Sequence, residues 1–162
     1  MKATVAVYDN HDKAVAALKS LASSGFPMKH VSIMGQADVV EDHVTVRSND
    51  TIRNAPLAVG AIVGPIVGIL TGVGVFAIPG FGFLYGAGAV IGAMAGLEVG
   101  VASGGIISLL TTLGVDEDYA VKYHEHIKDG KFLVIVKGAP EEVRLAKEIL
   151  HTEGSHFELS AH

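Results

Sequence analysis

The side chains best suited to chemistry in this chain of 162 residues are its eight histidines and its seventeen Asp and Glu residues, and their spacing limits what they can do. His124-Glu125-His126 is the densest group. Two histidines that share a metal on one helix stand at i and i+4, whereas i and i+2 point to different sides, so this pair does not make a zinc site by itself. His151, His156 and His162 read as a solvated C-terminal group, and His11, His30 and His43 are scattered. A metal would need them to converge in space, and no H-E-x-x-H occurs. Asp116, Glu117 and Asp118 could be read as paired carboxylates, but they stand where a helix should begin. There they serve as cap and first-turn charges at the positive end of the helix dipole. The chain has no cysteine, which removes disulfides, thiolate metal sites and thiol nucleophiles. No G-x-S-x-G elbow is present. Gly60 to Gly72 lacks the G-K-[ST] ending of a phosphate loop, and no strand leads into it. A formal net charge of −5 without a Lys/Arg cluster argues against nucleic acid as a partner. These residues assemble no active site. The expectation is no enzyme, no catalytic residue, no cofactor and no metal.

One carboxylate stands apart. Glu98 lies among Leu97, Val99 and Val101, just past a stretch from Asn54 to Leu97 that holds no Asp, Glu, Lys or Arg. An ionisable group in such surroundings is costly and is a functional candidate by default, for an ion or proton path or a polar bond between subunits. The plainer reading places it at a helix exit or pairs it with Ser103 or Ser108. Around it, glycines recur every four residues, at Gly60, Gly64, Gly68 and Gly72, then at Gly88, Gly92, Gly96, Gly100 and Gly104. On a helix every fourth residue returns to nearly the same face, so each ladder would be a smooth stripe where another helix approaches closely. These nine glycines are the expected packing residues of an oligomer.

The elements that would carry these residues are legible on both sides of the apolar stretch. Ala3 to Tyr8 reads as a strand. Asn10 can cap the helix that follows, with Ala14, Val15, Leu18, Leu21 and Ala22 at helical spacing and Gly25 at its end. Val31 to Met34 is a second strand, and His43 to Arg47 could add a short one. Asp116 to Asp129 reads as a helix with Ala120, Tyr123 and Ile127 on its apolar stripe. Phe132 to Val136 is a continuous apolar strand, which implies a central position covered on both faces. Pro140, Glu141 and Glu142 open a helix that Gly154 closes, and His156 to Ser160 can be a last strand. The order predicts an α+β fold of two ferredoxin-like βαβ halves. Residues 1–53 and 114–162 would form that domain, and residues 54–113 an inserted glycine-rich helical hairpin. The two helices would run from about Pro56 to Phe76 and from about Leu84 to Leu113, joined by a turn at Ala77 to Gly82.

Each helix would be long enough to span a bilayer core, which takes roughly twenty apolar residues. Arg47, Arg53, Lys122 and Lys128 near the hairpin's feet agree with cytoplasmic ends on both sides. The N-terminus enters a strand directly, without the pattern of a signal peptide. One reading is therefore a homo-oligomer in or on a membrane, in contact with lipid. A second is a soluble shell or filament subunit whose hairpins form a shared core. A third is a ligand or ion sensor.

The segment Gly72-Val73-Gly74-Val75-Phe76-Ala77-Ile78-Pro79-Gly80-Phe81-Gly82 resembles the G-x-G-x-x-A-I-P-G-x-G turn of a bacterial family, the general stress and low-temperature-induced proteins. The continuation through Gly114, Val115, Asp116, Glu117, Ala120, Tyr123, Ile127, Gly130, Leu133, Val134 and Val136 is similar to that family as well. Glu142, Ala146, Ile149 and Leu150 fit its last helix. The family places Glu beside its tyrosine or two places after it, whereas this chain has His124 and then Glu125, and the histidine-bearing tail is its own. The resemblance implies a stress-linked, membrane-associated or oligomeric bacterial protein of the cytoplasm or inner membrane, and it supplies no catalytic residues.

Overall fold

The computed structural model describes residues 2–36, 73–78, 82–88 and 100–162. Along the chain these form β1 (Lys2–Tyr8), α1 (His11–Ser23), a 3-10 turn (Met28–His30), β2 (Val31–Gln36), β3 (Val73–Ile78), β4 (Gly82–Gly88), α2 (Gly100–Thr112), α3 (Glu117–Lys128), β5 (Phe132–Gly138), α4 (Pro140–Glu153) and β6 (Glu158–Ala161). The strands make one mixed-order sheet, β3-β4-β2-β5-β1-β6, and each neighbouring pair is antiparallel. The molecule is an α+β fold. Helix α1 connects β1 to β2, which lie on either side of β5, and α4 connects β5 to β6, which lie on either side of β1.

Local chemistry explains the helix ends. The Asn10 side chain accepts from the Lys13 N–H at 2.9 Å and so satisfies one of the free donors that open α1. Pro140 occupies the first turn of α4, and the Glu142 carboxylate accepts from the Ala139 N–H at 2.9 Å. Gly154 closes that helix with φ +76°, a conformation that other residues adopt at a cost.

Because side chains alternate along a strand, each strand feeds two cores. Ala6, Tyr8, Val31, Ile33, Phe132, Val134 and Val136 pack with Leu18 and Leu21 of α1 and with Ala146 and Leu150 of α4. Val5, Val7, Met34, Leu133 and Ile135 pack with Ile106, Leu109 and Leu110 of α2 and with Ala120, Tyr123 and Ile127 of α3. The sheet is thus a middle layer between two pairs of helices. Strand β5 sits between β2 and β1 with Phe132 to Val136 all buried, as its uninterrupted apolar character predicts.

The apolar stretch departs from expectation where it is described. Residues Val73–Ile78 and Gly82–Gly88 are strands, not the ends of two helices. They pair with each other from Val73↔Ala87 to Ile78↔Gly82, and β4 also pairs with β2 from Ser32↔Gly88 to Gln36↔Leu84. Valine, phenylalanine and isoleucine fit an extended backbone better than a helix, and here the edge of β2 supplies the ladder partners. Gly88 is therefore not a rung of a helical stripe. Its φ is +83°, and a side chain there would run into the Val31 carbonyl oxygen. Nor does the second helix start at Leu84, which lies in β4; α2 (Gly100–Thr112) breaks locally at Gly105, where φ is 60° and ψ is −149°. Gly100 and Gly104 lie on α2. Leu113, on the hairpin side of the expected boundary, shares a core with Val115. Gly60, Gly64, Gly68, Gly72, Gly92, Gly96, Glu98 and the possible strand His43 to Arg47 lie outside the described residues.

Candidate functional site

The densest set of polar side chains lies between helix α3 and strand β6. Four residues of the α3 segment, Asp116, Tyr119, Tyr123 and His126, are spaced three, four and three apart, which sets them on one side of a helix. Strand β6 is held to the sheet only through β1, with Val7↔Glu158 and Thr4↔Ala161 as the ends of its register. Two backbone bonds between Ala3 and His162 continue that ladder by one step, at 3.0 and 2.7 Å. The result brings His162 onto the α3 stripe.

There the His162 ring has a partner on each nitrogen. Nδ1 stands 3.1 Å from Asp116 Oδ2, and Nε2 stands 3.1 Å from the Tyr123 hydroxyl. One proton arrangement satisfies all three groups: Nδ1–H donates to the carboxylate and the phenol donates to Nε2. The Tyr119 ring closes over the imidazole edge-on, with centroids 4.5 Å apart. The His162 side chain is only 1% exposed, whereas the Asp116 side chain is 70% exposed. The expectation of a solvated His162 is thus corrected, because the sheet register carries this residue under α3. Asp116 does stand at the N-cap of α3, but its side chain makes no capping bond and turns to His162 instead.

A second centre lies four residues back along the strand, at Glu158. Lys122 Nζ straddles the Glu158 carboxylate at 2.9 and 2.8 Å, and His126 Nε2 lies 3.4 Å from the same group. The Ser160 hydroxyl donates to Glu158 at 3.4 Å and lies beside the Tyr123 phenol. Asp116, His162, Tyr123, Ser160, Glu158 and His126 so form a chain of polar contacts along the edge of the sheet. Burial pushes the Tyr123 phenol up to about 12; the neighbouring Ser160 hydroxyl pulls it part of the way back, and the charges of Glu158, Tyr119 and Asp116 add to the rise. Burial also raises the Glu158 carboxyl, but the Lys122 bond and the charges of Lys122 and His126 outweigh it and hold the group below its ordinary value.

No protein-family model, curated protein or solved structure matches the chain. The reading of the site rests on its geometry.

That geometry fastens an edge strand through charged and hydrogen-bonded side chains. Its central imidazole is covered, while Asp116 reaches solvent. A cavity lies elsewhere. It is an open groove of about 370 Å³ between the C-terminal ends of α1 and α4, lined by Ser20, Ser23, Ser24, Glu148, Thr152 and Glu153 among others. Its hydroxyls are committed to their own helices: Ser23 and Ser24 donate to the Ser20 carbonyl at 3.1 and 2.8 Å, and Thr152 to the Glu148 carbonyl at 2.9 Å.

The remaining histidines go separate ways. His124 pairs with Glu125 at 3.3 Å while His126 turns to Glu158, the divergence expected at i and i+2. His11 is buried edge-on against the Phe132 ring, with centroids 5.4 Å apart. His30 lies 3.8 Å from Glu142, and the His151 and His156 rings stand 6.1 Å apart. Among the described residues no three His, Asp or Glu side chains gather closely enough to hold a metal ion. Sequence reasoning missed Tyr119, Tyr123, Glu158 and Ser160 as members of one network. The polar-aromatic stripe at helical spacing was a visible signal on α3, but nothing local pointed to His162.

Proposed function

We propose that this chain is a non-enzymatic, self-assembling protein in which a ferredoxin-like frame presents a glycine-laddered, uncharged segment to copies of itself, in or on a membrane. The observation that carries the reading is the partition of charge. From Asn54 to Leu97 there is no acidic or basic residue, while the flanking segments hold the charge. A segment that cannot be solvated by its own side chains gains most by packing against another apolar surface. The frame is supported by the order β2-β5-β1-β6, antiparallel throughout, with α1 and α4 as the two crossovers. With Gly88 taken into the sheet, the packing glycines would be Gly60, Gly64, Gly68 and Gly72 on one side and Gly92, Gly96, Gly100 and Gly104 on the other. The stress-linked role follows only from the family resemblance.

A specific observation favours a second form of the same assembly, a soluble shell or filament. Among the described residues no helix is long and apolar enough to cross a membrane, and α2, at the end of the apolar region, lies on its own sheet.

Gly64→Leu and Gly92→Leu test the ladders. Each should reduce particle mass in light scattering while leaving far-UV circular dichroism unchanged. Intact assemblies from both variants would refute the packing role. Release of the wild-type protein from a cell pellet only by detergent, not by salt or alkali, would select the membrane form over the soluble one.

A further inference from the structure

We infer that β6 is an acid-released latch: helix α3 fastens this edge strand through ionisable side chains, and protonation of Glu158 lets it swing away and uncover the edge of β1. The strand contributes only four residues, and none of them is fully buried. Its backbone ladder to β1 covers four residue pairs. Its side-chain ties to α3 are Glu158 to Lys122 at 2.8 Å, Glu158 to His126 at 3.4 Å, and the adjoining His162 to Asp116 and Tyr123 at 3.1 Å each. The only apolar side chain that β6 adds to a core is Leu159, which is partly buried. Strand β1, by contrast, is buried from Ala3 to Tyr8 and makes a full ladder with β5 on its other side. The sheet can therefore lose β6 without losing its centre.

The groups that face Glu158 are Lys122, Tyr123 and His126 from α3 and Ser160 from its own strand; β1 presents the apolar Val7 at its register. Around His162 stand Asp116, Tyr119 and Tyr123 from α3, with Ala3 of β1 meeting it through backbone alone. Next to the strand, Lys131 lies over the Phe157 ring at 4.9 Å. The sign follows from the depressed Glu158 value. The carboxylate stabilises the latched form above the ordinary carboxylate range, and that contribution is lost as pH falls through the folded value. Lys122 and His126 then face a neutral acid. Opening leaves the main-chain donors and acceptors of Ala3, Val5 and Val7, the alternate residues of β1 that face away from β5, as a new sheet edge.

Hydrogen exchange on the full-length chain, read by mass spectrometry, tests this. At neutral pH, Glu158→Gln should raise the exchange of peptides covering 158–161 and of β1 by about five-fold or more, while β5 and α4 peptides keep wild-type protection. In the wild type the same local rise, corrected for intrinsic rates, should accompany acidification below pH 4. Wild-type protection of β6 in Glu158→Gln, or exchange of β6 only together with β5 at every pH, would overturn the latch. Should Glu158→Gln lose its native circular dichroism, Lys122→Met gives the same readout from a half-exposed position, and unchanged β6 exchange there would equally refute the idea.

Discussion

Leu110→Ala tests whether the end of the apolar region belongs to this molecule's own core. Leu109 and Leu110 are fully buried, and Ile106 and Leu113 are nearly so, all in the core that α2 shares with α3 and the sheet. Removing three carbons from such a site costs the lost transfer free energy plus the cavity left behind, about 2–5 kcal/mol. Helix α2 is bounded by neighbours on both the sheet and α3, so collapse onto the cavity is restricted and the middle of that range, about 3 kcal/mol, is the expectation. With a urea slope of about 2 kcal/mol/M, the unfolding midpoint should fall by about 1.5 M. Val121→Ala on α3, at a position 48% exposed, serves as the control and should change stability by less than about 0.5 kcal/mol. Urea titrations followed by circular dichroism give both numbers, with light scattering on the same samples. A wild-type midpoint for Leu110→Ala combined with a smaller particle would refute the reasoning. It would mean that this leucine packs between copies and not against its own sheet.

Two further perturbations address other parts of the structure. The Tyr123 phenol is pushed up to about 12, and burial with the nearby Glu153 charge also drives the Tyr8 phenol well above the usual tyrosine range. A raised folded value means stability that is complete below about pH 10 and lost as pH rises through the folded value. Thermal denaturation should therefore show a steep alkaline fall above pH 10, which Tyr123→Phe makes shallower; equal alkaline slopes in the two proteins would contradict the burial argument. Gly88→Ala forces a side chain against the Val31 carbonyl at a positive φ, so it should destabilise the β2–β4 pairing by about 2 kcal/mol or more. Amide exchange in β2 would rise; loss of assembly with β2 protection intact would return Gly88 to the ladder.

The outcome along the chain shows where local signals suffice. Helix α4 announces itself through Pro140, the two glutamates and Gly154, each acting on its own neighbours. Strand β5 is legible because burial on two faces leaves no polar alternation. The apolar stretch defeats the same approach for a simple arithmetic reason. A glycine every fourth residue fits one face of a helix, but four is also a multiple of two, so it fits one face of a strand equally well. Gly82, Gly86 and Gly88 satisfy the strand, with Val73 and Val75 opposite Ala87 and Tyr85. What decides is the available edge of β2, a partner 48 to 56 positions away, from Gln36↔Leu84 to Ser32↔Gly88, that no window of sequence contains. The α3–β6 network fails for the same cause: Asp116 and His162 are 46 positions apart, and only the register of β6 on β1 joins them.

The place of β5 in the sheet also governs the order in which the molecule can be built. Strand β1 pairs with β5 from Lys2↔Gly138 to Tyr8↔Phe132, and β2 pairs with β5 as well. The strand that joins the first two thus leaves the ribosome about 130 residues after β1. At roughly 5–20 residues per second that is a wait of roughly 6–26 s. During that interval the first two strands lack their common neighbour, and the uncharged stretch emerges before it. Non-local pairing of this kind is slow to form, and the unpaired edges and apolar faces stay open meanwhile. The nascent chain therefore passes through a stage in which its most adhesive segment is complete and its sheet is not, a stage that a chaperone at the tunnel exit would be suited to cover.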